Sequence, residues 1–353
     1  MRFAIVKGVI LAAGKGTRML PLTLRRPKPL VPVFDRPMIE HIITGARDAG
    51  FDHLCLVIGH LGDKIQECLG DGSRLGVRLE YAWQEVAGGT GAATMLAEDF
   101  VGDEPFFLSW GDIIVGPETY QNLARVWREE QPEAVLSLNW VEDPWEGAAV
   151  YLEDGKITKI VEKPPKGTAT THYNNAGIFI FTPELLRILH DTPDSARGEK
   201  EVPDAIQTML GRGAEIRGLE VVGYWSDVAR PSTALKLNAT MIQHAQPDGV
   251  IVHPEAQVAA GAELTGPVYI GPGCKVGKAT IGPNVSLLRD VTVHDGARLG
   301  NAMLYGGNSI QAGATAQWVI AEEDVELPGG VELLGDEVAP AVIRNADWPA
   351  CAR

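Results

Sequence analysis

The chain has 353 residues, of which 45% are hydrophobic and 22% charged, and its formal net charge is -15. This length predicts two domains with sizeable cores, and the acidic balance excludes a nucleic-acid polymer or an anionic membrane as a partner bound through excess Lys and Arg. The sequence has neither an apolar run of about 18 residues nor a signal-peptide pattern, from which we expect a cytoplasmic protein.

The first predicted strand, at residues 9 to 11, leads directly into a glycine-rich turn. Gly14 and Gly16 leave backbone N–H groups open to an anion at the start of the next element. Four cations follow closely: Arg18, Arg25, Arg26 and Lys28. The pattern predicts a cradle for a small phosphate-bearing ligand, and the alternative is a tight turn with solvated cations.

Two common phosphate-binding motifs do not fit this turn. A Walker loop would need glycine at the position of Val9 and Ser or Thr at the position of Gly16. The dinucleotide fingerprint would need a third glycine at the position of Met19. The turn therefore belongs to another class of phosphate site.

Apolar strands and helical stretches alternate along the first 240 residues. We predict strands over 54–59, 77–83, 106–112, 134–141 and 175–182, and helices over 37–50, 90–100, 117–130 and 183–190. This alternation predicts a doubly wound α/β sheet, in which ligands bind beyond the carboxyl ends of the strands. The glycine-rich turn and the Gly111-Asp112 pair would both emerge there.

From about residue 250 an apolar side chain recurs every six residues, with glycine or proline commonly between. The positions are Val252, Val258, Leu264, Ile270 and Val276 and, after one five-residue step, Ile281, Leu287, Val293, Leu299 and Tyr305. Such hexads predict a parallel β-helix of about three to four coils, with a plain β-sandwich as the alternative. We therefore predict one domain over 1–240 and a second over 241–353, including a C-terminal tail.

The four cysteines, Cys55, Cys68, Cys274 and Cys351, show neither a close pair nor the spacing of a zinc site. This pattern favours buried or unused thiols over a disulfide framework. We assign them no chemistry.

The N-terminal motifs resemble the signature of the sugar-nucleotide pyrophosphorylases, or NDP-sugar nucleotidyltransferases. The family pattern LAxGxGTRxxPLT followed by PKPLxPV stands here as LAAGKGTRMLPLT at 11–23 and PKPLVPV at 27–33. Several members of that family carry a left-handed β-helix at the C-terminus. The resemblance thus implies an α/β, Rossmann-like nucleotidyltransferase domain with a doubly wound mixed sheet, followed by a left-handed parallel β-helix of hexapeptide repeats.

The resemblance also implies a reaction, in which a sugar-1-phosphate oxygen attacks the α-phosphorus of a nucleoside triphosphate and expels pyrophosphate. Such transfers depend on in-line positioning and on positive charge. In the family's pattern Arg18 would bind pyrophosphate, Lys28 the triphosphate, and Lys163 of the Glu-Lys-Pro triplet the sugar phosphate. By itself the triplet would equally fit a charge pair on a hairpin.

Two aspartates, Asp112 and Asp227, match the family's metal ligands and would hold Mg²⁺, which takes one or two carboxylates and completes its shell with phosphate and water. The family usually continues Asp-Ile/Val-Gly-Thr-Pro after the second aspartate, whereas this chain reads Asp227-Val228-Ala229-Arg230-Pro231. An altered loop here would change the sugar pocket or the metal geometry.

Base and sugar selection are also implied by the resemblance. Gln84, followed after four residues by Gly89-Thr90-Gly91, matches the element with which uridylyl- and thymidylyltransferases meet the pyrimidine edge, and a carboxamide offers the donor and acceptor that an imide requires. The implied nucleotide-binding residues are Leu11, Ala13, Gly14, Gly16, Gln84, Gly89 and Thr90. The implied sugar-binding residues are Gly147, Glu162 and Asn175, which suggest a hexose 1-phosphate: glucose first, with N-acetylglucosamine and mannose open.

The sequence therefore predicts a Mg-dependent enzyme that makes a dTDP- or UDP-hexose from small-molecule substrates, and we expect a homo-oligomer. One alternative is a catalytically inactive regulatory or binding subunit of the same fold. The presence of all five catalytic positions argues against it: Arg18, Lys28, Asp112, Lys163 and Asp227. Others are a mannose-1-phosphate guanylyltransferase and a bifunctional enzyme whose β-helix transfers acyl groups through His253 or His294.

Overall fold

The computed structural model describes residues 7–195, 197–246 and 249–344. The chain divides into two compact units. The first unit comprises Met1–Lys15 and Ile39–Trp225, and the second comprises Gly16–Met38 and Ser226–Arg353. Most of the signature motif therefore belongs to the same unit as the C-terminal hexads.

The first unit is built on a mixed sheet. Within the described residues the sheet has nine strands, in the spatial order Arg78–Trp83, His53–Ile58, Lys7–Ala12, Phe106–Trp110, Tyr173–Phe181, Ala134–Trp140, Ile216–Glu220, Lys156–Glu162 and Ala148–Glu153. The first four run parallel to one another, and Tyr173–Phe181 is antiparallel to both of its neighbours. A short strand, Ile113–Val115, follows the fourth.

Helices cover the sheet of the first unit. They are Met38–Asp48, Gly62–Leu69, Gly89–Met95, Glu98–Val101, Pro117–Glu130, Glu184–Asp191 and Val202–Gly211, with short 3₁₀ helices at Ser73–Leu75 and Pro144–Glu146. Val9 and Ile10 point to opposite faces of the central strand and are both fully buried, so both faces are covered. The mixed α/β prediction is confirmed. In the described part of the chain no helix has the length and apolar character needed to cross a bilayer.

The predicted elements agree with most of those observed in this unit. The helix predicted over 117–130 is Pro117–Glu130. The helix predicted over 90–100 is instead two helices, because the amides of Leu96 and Ala97 bond three residues back, to Ala93 and Thr94, and so end the α-helical pattern.

The second unit begins with segment 16–38, which contains only short elements. These are the 3₁₀ helices Thr17–Met19 and Lys28–Leu30 and the paired strands Pro32–Val33 and Arg36–Pro37. The chain returns to this unit through the short strand Trp225–Asp227, followed by helix Pro231–Ala245, which has proline in its first turn.

Parallel strands make up the rest of the second unit. They are Val250–Val252, Gln257–Val258, Glu263–Leu264, Val268–Ile270, Lys275–Val276, Thr280–Ile281, Val285–Leu287, Thr292–Val293, Arg298–Leu304, Ser309–Ile310, Thr315–Ala321, Glu326–Leu327, Glu332–Leu334 and Ala341–Ile343. We call these strands and their turns the C-terminal stack.

Each strand of the C-terminal stack from Val250–Val252 to Thr315–Ala321 pairs with one about three hexads further along. Val250 pairs with Val268, 18 residues on, and Ile270 pairs with Leu287, which pairs with Leu304. The predicted apolar positions from Ile270 to Tyr305 are buried, because side chains at equivalent positions of successive coils pack on one another. The arrangement agrees with the predicted β-helix, and its left hand stays a prediction.

The prediction about thiols holds in part. Cys55 and Cys274 are free and buried, and burial raises the pKa of Cys55 to about 12, which keeps it a thiol. The prediction is wrong for Cys68, which is disulfide-bonded. Cys351 lies outside the described residues.

Candidate active site

In the first unit, two predicted site elements meet where neighbouring strands end. The amide of Gly111 donates a hydrogen bond of 2.8 Å to the carbonyl oxygen of Leu11. A Cβ on Gly111 would lie 2.7 Å from that oxygen, so only glycine allows this approach. Asp112 follows directly and is partly exposed. Gly111 thus holds Asp112 against the end of the strand that leads into the glycine-rich turn.

A second glycine, Gly59, brings the turn to the predicted base-reading residue. A Cβ on Gly59 would lie 2.9 Å from the carbonyl oxygen of Ala13 and 3.1 Å from that of Gln84. The amide of Gln84 also donates to the carbonyl of Ile58 at 2.8 Å. Gly59 was not among the predicted site residues, although its place at the end of the apolar run LCLVIG was a signal for it.

Thr90, predicted to bind nucleotide, uses its hydroxyl to join two parts of the first unit. Its Oγ1 donates to Oε2 of Glu201 at 2.9 Å and accepts from the amide of Val202 at 3.0 Å, at the first turn of helix Val202–Gly211. Gly89, at φ +91°, lies so close to the Lys200 carbonyl that a Cβ would be 2.4 Å from it. The Thr90 side chain therefore anchors the loop.

The predicted sugar-binding residues are held by an asparagine that the sequence analysis missed. Oδ1 of Asn174 accepts from the amide of Ala148 at 2.9 Å and fills the space where a Cβ of Gly147 would be. Its Nδ2 donates to Oδ1 of Asn139 at 3.0 Å. Asn174 thereby fixes Gly147, and its place in the Asn-Asn pair of strand Tyr173–Phe181 was the available signal.

The side-chain carboxamide of Asn175 has its oxygen hydrogen-bonded and its nitrogen unsatisfied in the described structure. Oδ1 of Asn175 accepts from the amide of Gly177 at 3.0 Å. Its Nδ2 is buried and has no hydrogen-bond acceptor within the described structure. An unsatisfied buried donor of this kind costs about 1–3 kcal/mol, so this group would gain from an oxygen acceptor.

Glu162 and Lys163 lie at the end of a hairpin, next to Gly147. Glu162 pairs with Ala148 across the hairpin, and the amide of Lys163 donates to the Gly147 carbonyl at 2.7 Å. Nζ of Lys163 is 3.9 Å from Oε1 of Glu162, and half of the lysine side chain is exposed. Lys163 adopts a left-handed conformation at φ +44°, which directs the chain out of the strand at this point.

Around Glu162 the structure gathers acidic and basic groups from a second segment. Arg197 Nη2 lies 3.7 Å from Glu162 and 2.7 Å from Glu201. Burial raises the pKa of Glu162 to about 7, and Glu201 adds to the shift while Lys163 and Arg197 oppose it. The site therefore holds a carboxyl group that exchanges its proton near neutral pH. Arg197 was not among the predicted site residues, because nothing in its sequence spacing indicated that it lies close to Glu162.

In the second unit, Lys28 and Asp227 come together although they are far apart in sequence. Nζ of Lys28 is 3.8 Å from Oδ1 of Asp227, and the lysine side chain is only 9% exposed. Gly16 adopts φ +62°, and a Cβ there would lie 2.8 Å from Cβ of Lys28. Thr23 Oγ1 donates to the Gly16 carbonyl at 2.8 Å. The turn and Lys28 are thus packed together, and Arg18 on the same segment is exposed.

Arg26, one of the four cations counted in this segment, is not available to a ligand. Its side chain is 1% exposed, and Nη2 lies 2.6 Å from Oε2 of Glu323. Its guanidinium also lies 4.8 Å from the ring centroid of Tyr305. The sequence showed the cation but not the carboxylate 297 residues away that pairs with it.

Comparison with known proteins gives concordant results. Residues 7–244 match the family model described as nucleotidyl transferase. The chain is 30% identical to a glucose-1-phosphate thymidylyltransferase from Streptomyces griseus, over 94% of this chain and 98% of that protein.

Two solved structures are similar to the chain. One, assigned as a glucose-1-phosphate thymidylyltransferase from Bacillus anthracis in complex with sucrose, is 31% identical, has a TM-score of 0.61, and covers 66% of this chain and 94% of its own. The other, a UDP-glucose pyrophosphorylase complexed with UDP-glucose, is 24% identical, has a TM-score of 0.61, and covers 68% of this chain and 99% of its own. The second likeness shows the fold alone.

Proposed function

This chain belongs to the nucleotidyl transferase family and is a sugar-1-phosphate nucleotidyltransferase, and we propose that its substrates are glucose 1-phosphate and either dTTP or UTP. The observation that carries the choice is the meeting of Gln84, the glycine-rich turn and Gly111-Asp112 at the ends of adjacent strands. The Gln84 carboxamide would bind the base, the glycine-rich turn the phosphates, and the Asp112 carboxylate the metal of the bound nucleotide. The named function of the Streptomyces griseus relative supports the same pair of substrates.

The proposed reaction forms a bond between an oxygen of the sugar phosphate and the α-phosphorus, and breaks the bond between the α-phosphorus and the β-phosphate oxygen. Lys163 holds the attacking sugar phosphate, and Lys28 and Arg18 hold the triphosphate and the departing pyrophosphate. The amides after Leu11 and Ala13, at Gly14 and Gly16, bind the nucleotide phosphates. These groups place positive charge where negative charge spreads in the transition state, which is the main contribution a protein makes to such transfers.

Magnesium is the metal that suits the remaining groups. The side chains of Asp112 and Asp227 are partly exposed, and Mg²⁺ takes oxygen ligands from one or two carboxylates, phosphate and water. Within the described residues there is no group of three or more His, Cys, Asp or Glu that could hold a metal. Bound Mg²⁺ would neutralise phosphate charge at the α-phosphorus. Nζ of Lys28 lies 3.8 Å from Oδ1 of Asp227 and adds positive charge beside that carboxylate.

Selection of the substrates is assigned to two sets of residues. Gln84, with the backbone of Gly89 and Thr90, meets the pyrimidine edge. Gly147, Glu162 and Asn175 meet the sugar hydroxyls, and the Nδ2 group of Asn175, buried without an acceptor in the described structure, would donate to a hydroxyl oxygen. Near neutral pH, Glu162 can either accept or donate a hydrogen bond, because its pKa is raised to about 7.

Residues 1–240 are proposed as the catalytic domain and residues 241–353 as a left-handed β-helix that mediates assembly. The register of 17 to 18 residues per coil supports the β-helix. A homo-oligomer and a cytoplasmic location stay predictions of the sequence.

The test is pyrophosphate release with Mg²⁺ across dTTP, UTP, GTP, CTP and ATP, each paired with the 1-phosphates of glucose, N-acetylglucosamine and mannose. We expect release with dTTP or UTP and glucose 1-phosphate. Release only with GTP and mannose 1-phosphate would show a guanylyltransferase. No release with any pair, from folded protein that still binds nucleotide, would show a regulatory subunit.

A further inference from the structure

Segment 16–38, which carries Lys28, has little regular structure of its own. Its elements are two single 3₁₀ turns and a two-residue strand pair. Short elements of this kind do not hold a fixed conformation without tertiary contacts. The position of Lys28 therefore depends on contacts between segment 16–38 and the rest of the second unit.

One anchor lies two residues before Lys28. The guanidinium of Arg26 meets Glu323 at 2.6 Å and lies over the ring of Tyr305. Glu323 follows the strand Thr315–Ala321 of the C-terminal stack, and its side chain is 13% exposed. In an ion pair so shielded from water, separating the two charges would leave each of them buried without a partner, which is strongly destabilising. The pair therefore fixes the distance between its two side chains.

A second anchor lies six residues after Lys28. The amide of Phe34 donates to Oδ1 of Asn238 at 3.1 Å, and the same oxygen accepts from Ser286 Oγ at 2.6 Å. The Phe34 ring meets Tyr269 edge to face, with centroids 5.1 Å apart. Ser286 and Tyr269 belong to the C-terminal stack, so the chain on both sides of Lys28 is attached to this stack.

We propose that Arg26 and Glu323 are positioning residues for Lys28, through which the C-terminal stack takes part in holding the nucleoside triphosphate. Neither residue touches the substrate. The inference rests on the proposed function, because it takes Lys28 to be the triphosphate-binding cation. It gives the C-terminal stack a role in catalysis beyond assembly.

The first test substitutes the carboxylate and measures the segment directly. Glu323→Gln removes the charge and keeps the shape. Glu337→Gln is the matched control, because it makes the same chemical change in an exposed pair of the same unit, Lys236–Glu337 at 2.8 Å. Amide hydrogen exchange without substrate should become at least about tenfold faster at residues 17–33 in Glu323→Gln and stay unchanged in Glu337→Gln. Unchanged exchange in Glu323→Gln would overturn the proposal, whatever the activity of the protein.

The second test asks whether the effect acts through Lys28. The dissociation constant of dTTP and of UTP with Mg²⁺ is measured by calorimetry for the wild type, Glu323→Gln, Lys28→Ala and the double variant. We expect Glu323→Gln to raise the dissociation constant about 10- to 100-fold in the otherwise wild-type chain. In the Lys28→Ala background the same substitution should raise it less than about twofold further. Full additivity, or wild-type affinity in folded Glu323→Gln, would overturn the proposal.

Thermal melting identifies a variant that does not fold. If Glu323→Gln does not fold, Glu323→Asp replaces it, because it keeps the charge and shortens the side chain by one methylene. It is judged by the same two measurements, hydrogen exchange at residues 17–33 and nucleotide affinity. If the wild type releases no pyrophosphate with any substrate pair, the proposed function fails, and hydrogen exchange at residues 17–33 still decides whether Glu323 orders the segment.

Discussion

Gly111→Ala is the substitution whose effect follows most directly from the structure. The added Cβ would lie 2.7 Å from the carbonyl oxygen of Leu11 and 3.2 Å from Cα of Ala12, both main-chain atoms that cannot rotate away. An ordinary contact begins at 3.4 Å, so the Gly111-Asp112 turn has to move by about 0.7 Å. Displacements near 1 Å at a reacting centre cost about 10²-fold in rate. We therefore expect kcat to fall about 10- to 100-fold, which corresponds to about 1.4 to 2.8 kcal/mol in the barrier.

The assay is pyrophosphate release at saturating substrate, with folding checked by circular dichroism. The matched control is Gly211→Ala at the end of helix Val202–Gly211, where an added Cβ has nothing within 4 Å. It should keep the wild-type kcat and leave stability equal or slightly higher, because alanine favours the helix. A wild-type kcat in folded Gly111→Ala, or an equal loss in both variants, would refute the role given to this turn.

Three further predictions concern single site residues. Asp112→Asn should lower kcat by about three orders of magnitude or more with the fold intact, and near-normal turnover would refute the metal assignment. Gln84→Ala should raise KM more for pyrimidine than for purine nucleotides, and equal losses across the five triphosphates would show that Gln84 does not read the base. For Glu162, the pKa raised by burial to about 7 means that the folded state holds the proton more tightly than the unfolded state. The stability it contributes is fully present well below pH 4.5 and is lost as the pH rises through 7, so the free energy of unfolding in urea, relative to Glu162→Gln, should fall by about 2 to 3 kcal/mol between pH 5 and 8. A constant difference would contradict the raised pKa.

Patterns that are local in sequence predicted most of the fold. Hydrophobic periodicity and turn residues gave the helix Pro117–Glu130, and the hexads gave the buried positions from Ile270 to Tyr305. The short helix Gly62–Leu69 and the hairpin from Ala148 to Glu162 were not predicted. Both are short, and their polar residues weaken the periodic signal.

Contacts between residues that lie far apart in the sequence could not be predicted from the sequence. Arg26 looked like a ligand-binding cation because its partner Glu323 stands 297 residues away. Thr90 matched a nucleotide-binding motif, yet its hydroxyl is engaged by Glu201 and Val202. In both cases the residue type fitted the predicted chemistry, and only the three-dimensional partner showed which role the side chain has.

The most direct test of the central claim follows the α-phosphorus itself. The chain is incubated with Mg²⁺, glucose 1-phosphate and dTTP or UTP labelled at the α-phosphate, and the products are separated by chromatography. We predict that the label appears in the sugar nucleotide in equal amount to unlabelled pyrophosphate. Label that remains in the triphosphate, or that appears only in a nucleoside monophosphate or diphosphate with glucose 1-phosphate unchanged, would contradict nucleotidyl transfer to the sugar.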